Sequence, residues 1–151
     1  MPISKTSTTK LYTIERITDI SPYSDVADFF YNLAKELDLY DLDFTNFDFH
    51  AYAREHFVLV CRKKGKLVGC LFARLYPCVW DPKNKTLYQD GLFCRKSSGK
   101  AAYLLLKKFI DFGRREANLV FTCRTKFTNV KEKSFERLGF KKTEELFLLG
   151  E

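Results

Sequence analysis

A chain of 151 residues with 46% hydrophobic side chains, among them 15 Phe and 8 Tyr, is long and apolar enough to bury a core, which excludes a disordered polymer. No run approaches the ~18 apolar residues that a membrane span needs, and Met1–Lys10 is polar without a hydrophobic signal core, so no membrane association and a cytoplasmic location are expected. The formal net charge of +7 is spread unevenly, with 5 Lys and Arg against 10 Asp and Glu in residues 1–60 and 21 against 9 in residues 61–151; an acidic flank beside a basic cleft is expected.

The five cysteines (Cys61, Cys70, Cys78, Cys94, Cys123) are far apart and mostly inside apolar runs. No CxxC occurs, and neither His50 nor His56 is near a cysteine in sequence. An odd count without framework spacing predicts reduced, mostly buried thiols and no metal site.

In chain order, Met1–Lys10 is rich in Ser, Thr and Lys and reads as a flexible tail ahead of a single domain over residues 11–151. Leu11–Ile17 alternates well enough for a first strand. Ser24 is placed to cap a helix whose first turn holds Asp25 and Asp28. Val26, Phe29, Phe30, Leu33, Ala34 and Leu37 then recur at helical spacing. Asp38–Asp48 interleaves acids with aromatics, and Asn46 is the expected cap of a second short helix ending near Glu55. Phe57–Cys61 and Leu67–Tyr76 flank a basic turn and predict a β-hairpin, with Gly69 marking a bulge or a close backbone approach. Thr86–Cys94 is the next strand, interrupted by Gln89-Asp90-Gly91, which predicts a bulge that re-aims side chains.

Leu92–Phe112 is the organising stretch. An apolar run ends at Cys94, a basic and hydroxylic turn with Gly99 follows, and a helix opens at Lys100 or Ala101. First-turn N–H groups lack intrahelical partners and sit at the positive end of the macrodipole, so this is a site for a phosphorylated ligand. Ala101, Leu105, Phe109 and Phe112 share one face of a helix predicted to run to Arg115. A buried strand at Leu119–Cys123 completes a β-α-β unit. Asn129–Leu138 is a short helix stopped by Gly139 in a left-handed cap, and Phe140 with Leu146–Leu149 supplies closing strands.

Two familiar phosphate loops fail here. A Walker A loop needs a hydroxyl after Gly-Lys, but Ala101 follows Gly99-Lys100, and Gly91 is too far upstream. The dinucleotide fingerprint GxGxxG is missing. The stretch instead resembles the acetyl-CoA signature of the GNAT acetyltransferase superfamily, Arg/Gln-x-x-Gly-x-Gly/Ala, read as Lys96-Ser97-Ser98-Gly99-Lys100-Ala101. Lys stands for the usual Arg or Gln, and a one-residue slip places Arg95 there. Asn129 ahead of Phe135-Glu136-Arg137-Leu138-Gly139-Phe140 is similar to the Asn and Tyr-x-x-x-Gly-Phe of that superfamily. The resemblance covers about Tyr12–Leu149.

The resemblance implies an α/β (α+β) fold: a central mixed, mostly antiparallel sheet flanked by helices and splayed between strands four and five. It implies direct transfer of an acetyl group from acetyl-CoA to a primary amine, on a small molecule or on a protein lysine or N-terminus. Backbone N–H groups from Ser97 to Ala101, with Lys96 and Lys100, would hold the pyrophosphate. Pantetheine would lie along Leu92, Phe93 and Cys94, the Phe93 N–H meeting the thioester carbonyl, and Asn129 would bind pantetheine or cap its helix. Asp90 is the candidate base, with Gln89 a weaker one through water; the bland alternative is a turn residue bonding its own backbone. Phe135 stands where many members carry the Tyr that protonates the departing thiolate.

Two other functions are weighed. One is a degenerate, non-catalytic domain that binds CoA or a partner. The other is nucleic-acid binding through the basic half, around Arg124-Thr125-Lys126-Phe127, although no recognised nucleic-acid motif occurs. The acidic flank from Glu36 to Asp48 favours a cationic acceptor.

Overall fold

The computed structural model describes residues 11–18, 24–37, 46–124, 130–144 and 147–149; the expected tail, most of the Asp38–Asp48 segment and Asn129 lie outside them. In chain order the elements are β1 (Tyr12–Ile17), α1 (Asp25–Leu37), α2 (Phe49–Glu55), β2 (Phe57–Lys63), β3 (Lys66–Pro77), β4 (Lys85–Cys94), a 3-10 turn (Lys96–Ser98), α3 (Ala101–Glu116), β5 (Leu119–Phe121) and α4 (Glu132–Arg137). One sheet runs β1-β2-β3-β4-β5. The first four strands are antiparallel neighbours, while β5 returns through α3 to lie parallel to β4.

The continuous apolar runs of β2 and β3 follow from this layering, because helices cover both faces of the sheet. On one face, Phe57, Leu59, Leu71 and Leu87 pack against Ala101, Leu105, Leu106 and Phe109 of α3 and against Phe135 of α4. On the other, Val58, Val60, Cys70 and Phe72 meet Val26, Phe30 and Leu33 of α1 and Phe49 of α2. The Phe30 ring lies 4.5 Å from that of Phe49 and 5.2 Å from that of Phe72, both edge-on. Each large side chain so buried contributes roughly 1.5–3 kcal/mol.

Local chemistry sets the element ends. The Ser24 hydroxyl accepts the Ala27 N–H at 3.1 Å and starts α1. The cap of α2 is Asp48, whose carboxylate takes the Ala51 N–H at 2.9 Å, and not the expected Asn46; Asp48 is the residue three positions before a first-turn donor. Lys64 and Gly65, both at positive φ, close the hairpin between β2 and β3. Val68 is the extra residue there, since Cys61 pairs with Gly69 and Arg62 with Leu67. A Cβ on Gly69 would lie 2.5 Å from the Cys94 sulfur, so this glycine marks the close approach of β4.

After α4, the Gly139 N–H bonds the Glu136 carbonyl and the Phe140 N–H bonds that of Phe135, a Schellman stop with Gly139 at φ 98°. The expected closing strands do not form among the described residues. Phe140 packs edge-on against Phe135 instead, and Phe147, Leu148 and Leu149 are exposed. β5 also ends two residues early, because Thr122 and Cys123 turn to contact Gln89. Among the described residues, no helix is long and apolar enough to cross a membrane.

Candidate acyl-transfer site

The site is organised by the bulge in β4. Phe72 pairs with Gly91 and Ala73 with Gln89, which leaves Asp90 as the unpaired residue. The extra residue reverses the alternation of the strand. Leu87 and Gln89 are buried before it, Leu92 packs with the α3 core after it, and Phe93 turns toward α1 and α2.

The Asp90 side chain points to the α2 side. Its Oδ2 accepts the Tyr52 hydroxyl at 2.7 Å and the Arg74 Nε–H at 2.7 Å; among the described residues, Oδ1 carries no hydrogen bond. The Arg74 guanidinium also lies 5.6 Å from the Tyr76 ring and 5.8 Å from that of Tyr88. Burial, aided by the carboxylate, pushes the Tyr52 phenol far up, so it stays a proton donor. The Asp90 hydrogen bond pushes Arg74 up against the opposing effect of burial. The Tyr52 ring lies 5.0 Å from that of His56, whose Nδ1 is buried without a hydrogen-bond partner among the described residues. Tyr52 and Arg74 had no motif to mark them; their role follows from which strand and helix residues the bulge brings together.

On the opposite edge, β5 leaves β4 early. Pairing runs from Thr86 with Leu119 to Tyr88 with Phe121 and then stops. Gln89, 1% exposed, takes the Thr122 hydroxyl on its Oε1. That contact makes it a lock at the fork of the two strands, and it corrects the expectation of a water-relayed base. Beyond the fork, this edge of β4 has no strand partner among the described residues.

The register decides which N–H groups reach this edge. The Arg95 N–H bonds the Val68 carbonyl at 2.9 Å, so Cys94 and Gly69 are a non-hydrogen-bonded pair and Phe93 and Cys70 a hydrogen-bonded one. The Phe93 N–H is therefore spent on β3, contrary to expectation. The N–H groups of Leu92 and Cys94 are the ones directed at the open edge.

The edge leads into the glycine turn. Lys96, Ser97 and Ser98 form the 3-10 turn, with the Ser98 N–H on the Arg95 carbonyl at 3.0 Å. Gly99 takes φ 64° and ψ −114°, a conformation that side chains resist. Lys100 is the cap residue of α3 and its side chain makes no capping bond, so the first-turn N–H groups at Ala101 and beyond have no side-chain acceptor there. Lys96, Gly99 and Lys100 are exposed, while Ser98 and Ala101 are buried. The Arg95 backbone caps the turn, but its side chain is engaged elsewhere: it pairs with Glu36 at 3.5 Å and lies over the Phe29 ring.

Two residues at the turn had no sequence signal. The Tyr12 hydroxyl donates to the Ser98 carbonyl at 3.0 Å and accepts the Lys100 N–H at 3.4 Å. The Lys63 ammonium lies 5.6 Å from the Tyr12 ring centre.

Other candidates take plainer places. Phe135 is buried in the α3-side core. Burial pushes the Cys94 thiol up to about 12 and that of Cys61 to about 11, which leaves neither as a thiolate nucleophile near neutral pH. The Arg124 Nε–H holds the Val130 carbonyl at 2.9 Å, while Thr125–Phe127 lie outside the described residues.

No protein-family model and no curated protein sequence matches the chain. Solved structures do. An aminoglycoside acetyltransferase from an uncultured soil metagenomic sample, in complex with trehalose, superposes with a TM-score of 0.65 at 15% identity, over 93% of this chain and 95% of its own. A ribosomal-protein-alanine N-acetyltransferase from Brucella melitensis biovar Abortus 2308 does so with 0.67 at 14% identity, over 93% and 99%. The chain has the GNAT fold. A third GNAT-fold structure, aminoglycoside N-acetyltransferase AAC(6')-Iy in complex with CoA, matches with 0.57 at 14% identity, over 92% and 98%. On this GNAT fold, β4 leads directly into the glycine turn, and the Asp90 cluster stands at the bulge of the same strand.

Proposed function

We propose that the protein is an acetyl-CoA-dependent N-acetyltransferase, its domain spanning residues 11–151, which transfers an acetyl group directly to a primary amine. The observation that carries this reading is the set of backbone donors, without acceptors among the described residues, that leads from Leu92 and Cys94 on the edge of β4 through Gly99 to the N-terminus of α3. That set suits an extended ligand with a carbonyl at one end and a diphosphate at the other. The CoA-bound structure of the same fold supports it.

The residue roles follow. The N–H groups of Ser97, Gly99 and Ala101, with the Lys96 and Lys100 side chains, take the diphosphate, because the Ser98 N–H is spent on Arg95 and the Lys100 N–H on Tyr12. Pantetheine lies along Leu92, Phe93 and Cys94, and the N–H of Leu92 or Cys94 stabilises the charge that develops on the thioester oxygen. Of the two parts expected for Asn129, the pantetheine contact is the one proposed, because Lys131 is the cap residue of α4. The amine arrives from the Asp90 side. Asp90 holds the incoming ammonium through Oδ1 and takes its proton, while Tyr52 and Arg74 fix the carboxylate through Oδ2. The neutral amine attacks the thioester carbon, the tetrahedral intermediate collapses with cleavage of the C–S bond, the remaining excess nitrogen proton passes to solvent, and CoA leaves as the thiolate or acquires a proton from solvent. A cationic small molecule or protein amine is the acceptor that the acidic stretch from Glu36 to Asp48 favours, although Glu36 itself pairs with Arg95 and Asp48 caps α2.

Titration with acetyl-CoA tests the assignment: the wild type binds, and Gly99→Glu places a carboxylate in the turn and loses binding. Equal affinity of the two proteins overturns it. One observation favours a second reading, a CoA-binding module without turnover: Phe135, buried at the position of the usual acid, has no proton to give. Acetyl-CoA binding without acetylation of any of a panel of primary amines selects that reading.

A further inference from the structure

We propose that Tyr12 is the positioning residue of the diphosphate turn and that Lys63 beside it is a phosphate-binding cation; both rest on the reading that this turn holds the diphosphate of acetyl-CoA. Tyr12 lies 86 residues before Ser98 in the chain and belongs to a strand that the turn does not contact through backbone pairing. Its place is set by the sheet. β1 pairs with β2 over its whole length, with Tyr12 opposite Lys63, so the phenol is delivered to the turn by strand register.

What the phenol does there follows from the glycine. Gly99 at φ 64° is free to flip its flanking peptide groups, and a flipped peptide aims a carbonyl where a donor is needed. The Tyr12 hydroxyl holds both sides of the glycine, donating to the Ser98 carbonyl and accepting the Lys100 N–H. With those two groups fixed, the Gly99 N–H between them and the Ala101 N–H after them have one direction. The fit is close: a Cβ on Gly99 would lie 2.5 Å from this hydroxyl. The same construction places the Lys63 ammonium 4.0 Å from that Cβ position. Among the described residues, Lys63 has no carboxylate partner, whereas Arg62 next to it pairs with Glu15 and Asp25. A lysine at the glycine, held over a tyrosine ring and without a counter-ion among the described residues, is a third cation for the diphosphate beside Lys96 and Lys100.

The test compares acetyl-CoA with acetyl-pantetheine, which lacks the diphosphate, by titration of wild type, Tyr12→Phe and Lys63→Gln. Tyr12→Phe is expected to weaken acetyl-CoA about tenfold, the scale of one lost hydrogen bond. Lys63→Gln is expected to weaken it severalfold and to lessen its salt dependence. Neither variant alters affinity for acetyl-pantetheine. Unchanged or tighter acetyl-CoA binding, or equal weakening of both ligands, overturns the proposal. A wild type that does not bind acetyl-CoA overturns the functional reading itself, which is a separate result. Should Tyr12→Phe not fold, amide exchange at Lys100 in the ligand-free wild type decides: protection supports the Tyr12 brace, and exchange at the rate of an open loop sinks it.

Discussion

On the α3 side of β4 the candidate site is made of backbone: a glycine turn, two strand N–H groups and a helix terminus, with side chains only bracing or charging it. Across the bulge, on the α2 side, it is made of side chains: Asp90, Arg74 and Tyr52 share one carboxylate oxygen, with Tyr76 and Tyr88 around the guanidinium. Backbone donors recognise what every CoA thioester has in common, and they tolerate sequence change as long as the turn keeps its shape. Side chains choose among acceptors and move protons, and single substitutions abolish them. The split predicts that the two regions fail independently.

The largest effect is expected on the side-chain half. Asp90→Asn keeps the shape and removes the proton acceptor, so kcat/KM should fall ~10²–10⁴-fold and lose its acid limb, while the Kd for acetyl-CoA stays the same. An unchanged pH–rate profile would remove Asp90 from the mechanism and leave its cluster a fixture of the fold. The backbone half gives the converse. Gly99→Glu should weaken acetyl-CoA by about a hundredfold or more, on the scale of a buried like-charge clash, without disturbing the Asp90 cluster. A smaller effect belongs to Tyr52→Phe. It removes one of two donors to Oδ2, so kcat should fall about tenfold or less with binding of acetyl-CoA intact. A loss of acetyl-CoA affinity in either α2-side variant would show that the two halves are coupled across the bulge.

The same split explains what the sequence disclosed. The turn was legible because its signal is local: Gly99, its basic neighbours and the helix that follows lie within a few residues. The bulge at Asp90 was legible for the same reason, as two polar residues and a glycine inside an apolar strand. Ser24 and Gly139 marked helix ends through contacts that span three to five residues. The direction of the Phe93 N–H was not legible, because it depends on which residue of β3 faces it, and the extra residue at Asp90 shifts that pairing by one. Tyr12 and Lys63 were hidden by separation in the chain, and Tyr52 and Arg74 by the absence of any rule that says which side chains a bulge will bring together. Asn46 lost the α2 cap to Asp48 by two positions, a margin that two polar side chains of similar capping strength do not resolve.

The smallest expected effect concerns stability, and it reads the cost of packing thiols against the free end of β4. Burial pushes Cys94 from 9.0 up to about 12 and Cys61 from 9.0 up to about 11, and Cys70 well above its ordinary value. For a thiol the protonated form is the neutral one, so the folded state holds its proton where the unfolded chain has released it. The unfolded state then binds fewer protons, and stability falls as pH rises. The contribution is complete below pH ~9 and is lost between about 9 and 12. A melting curve should be flat from pH 7 to 8.5 and drop steeply above it. Cys94→Ala, beside the close approach of Gly69, should lower Tm at neutral pH by leaving a small void and should also flatten the alkaline drop. An alkaline drop as steep as that of the wild type would place the titrating groups elsewhere, on the Tyr52 phenol of the α2 side, which burial and Asp90 also push up.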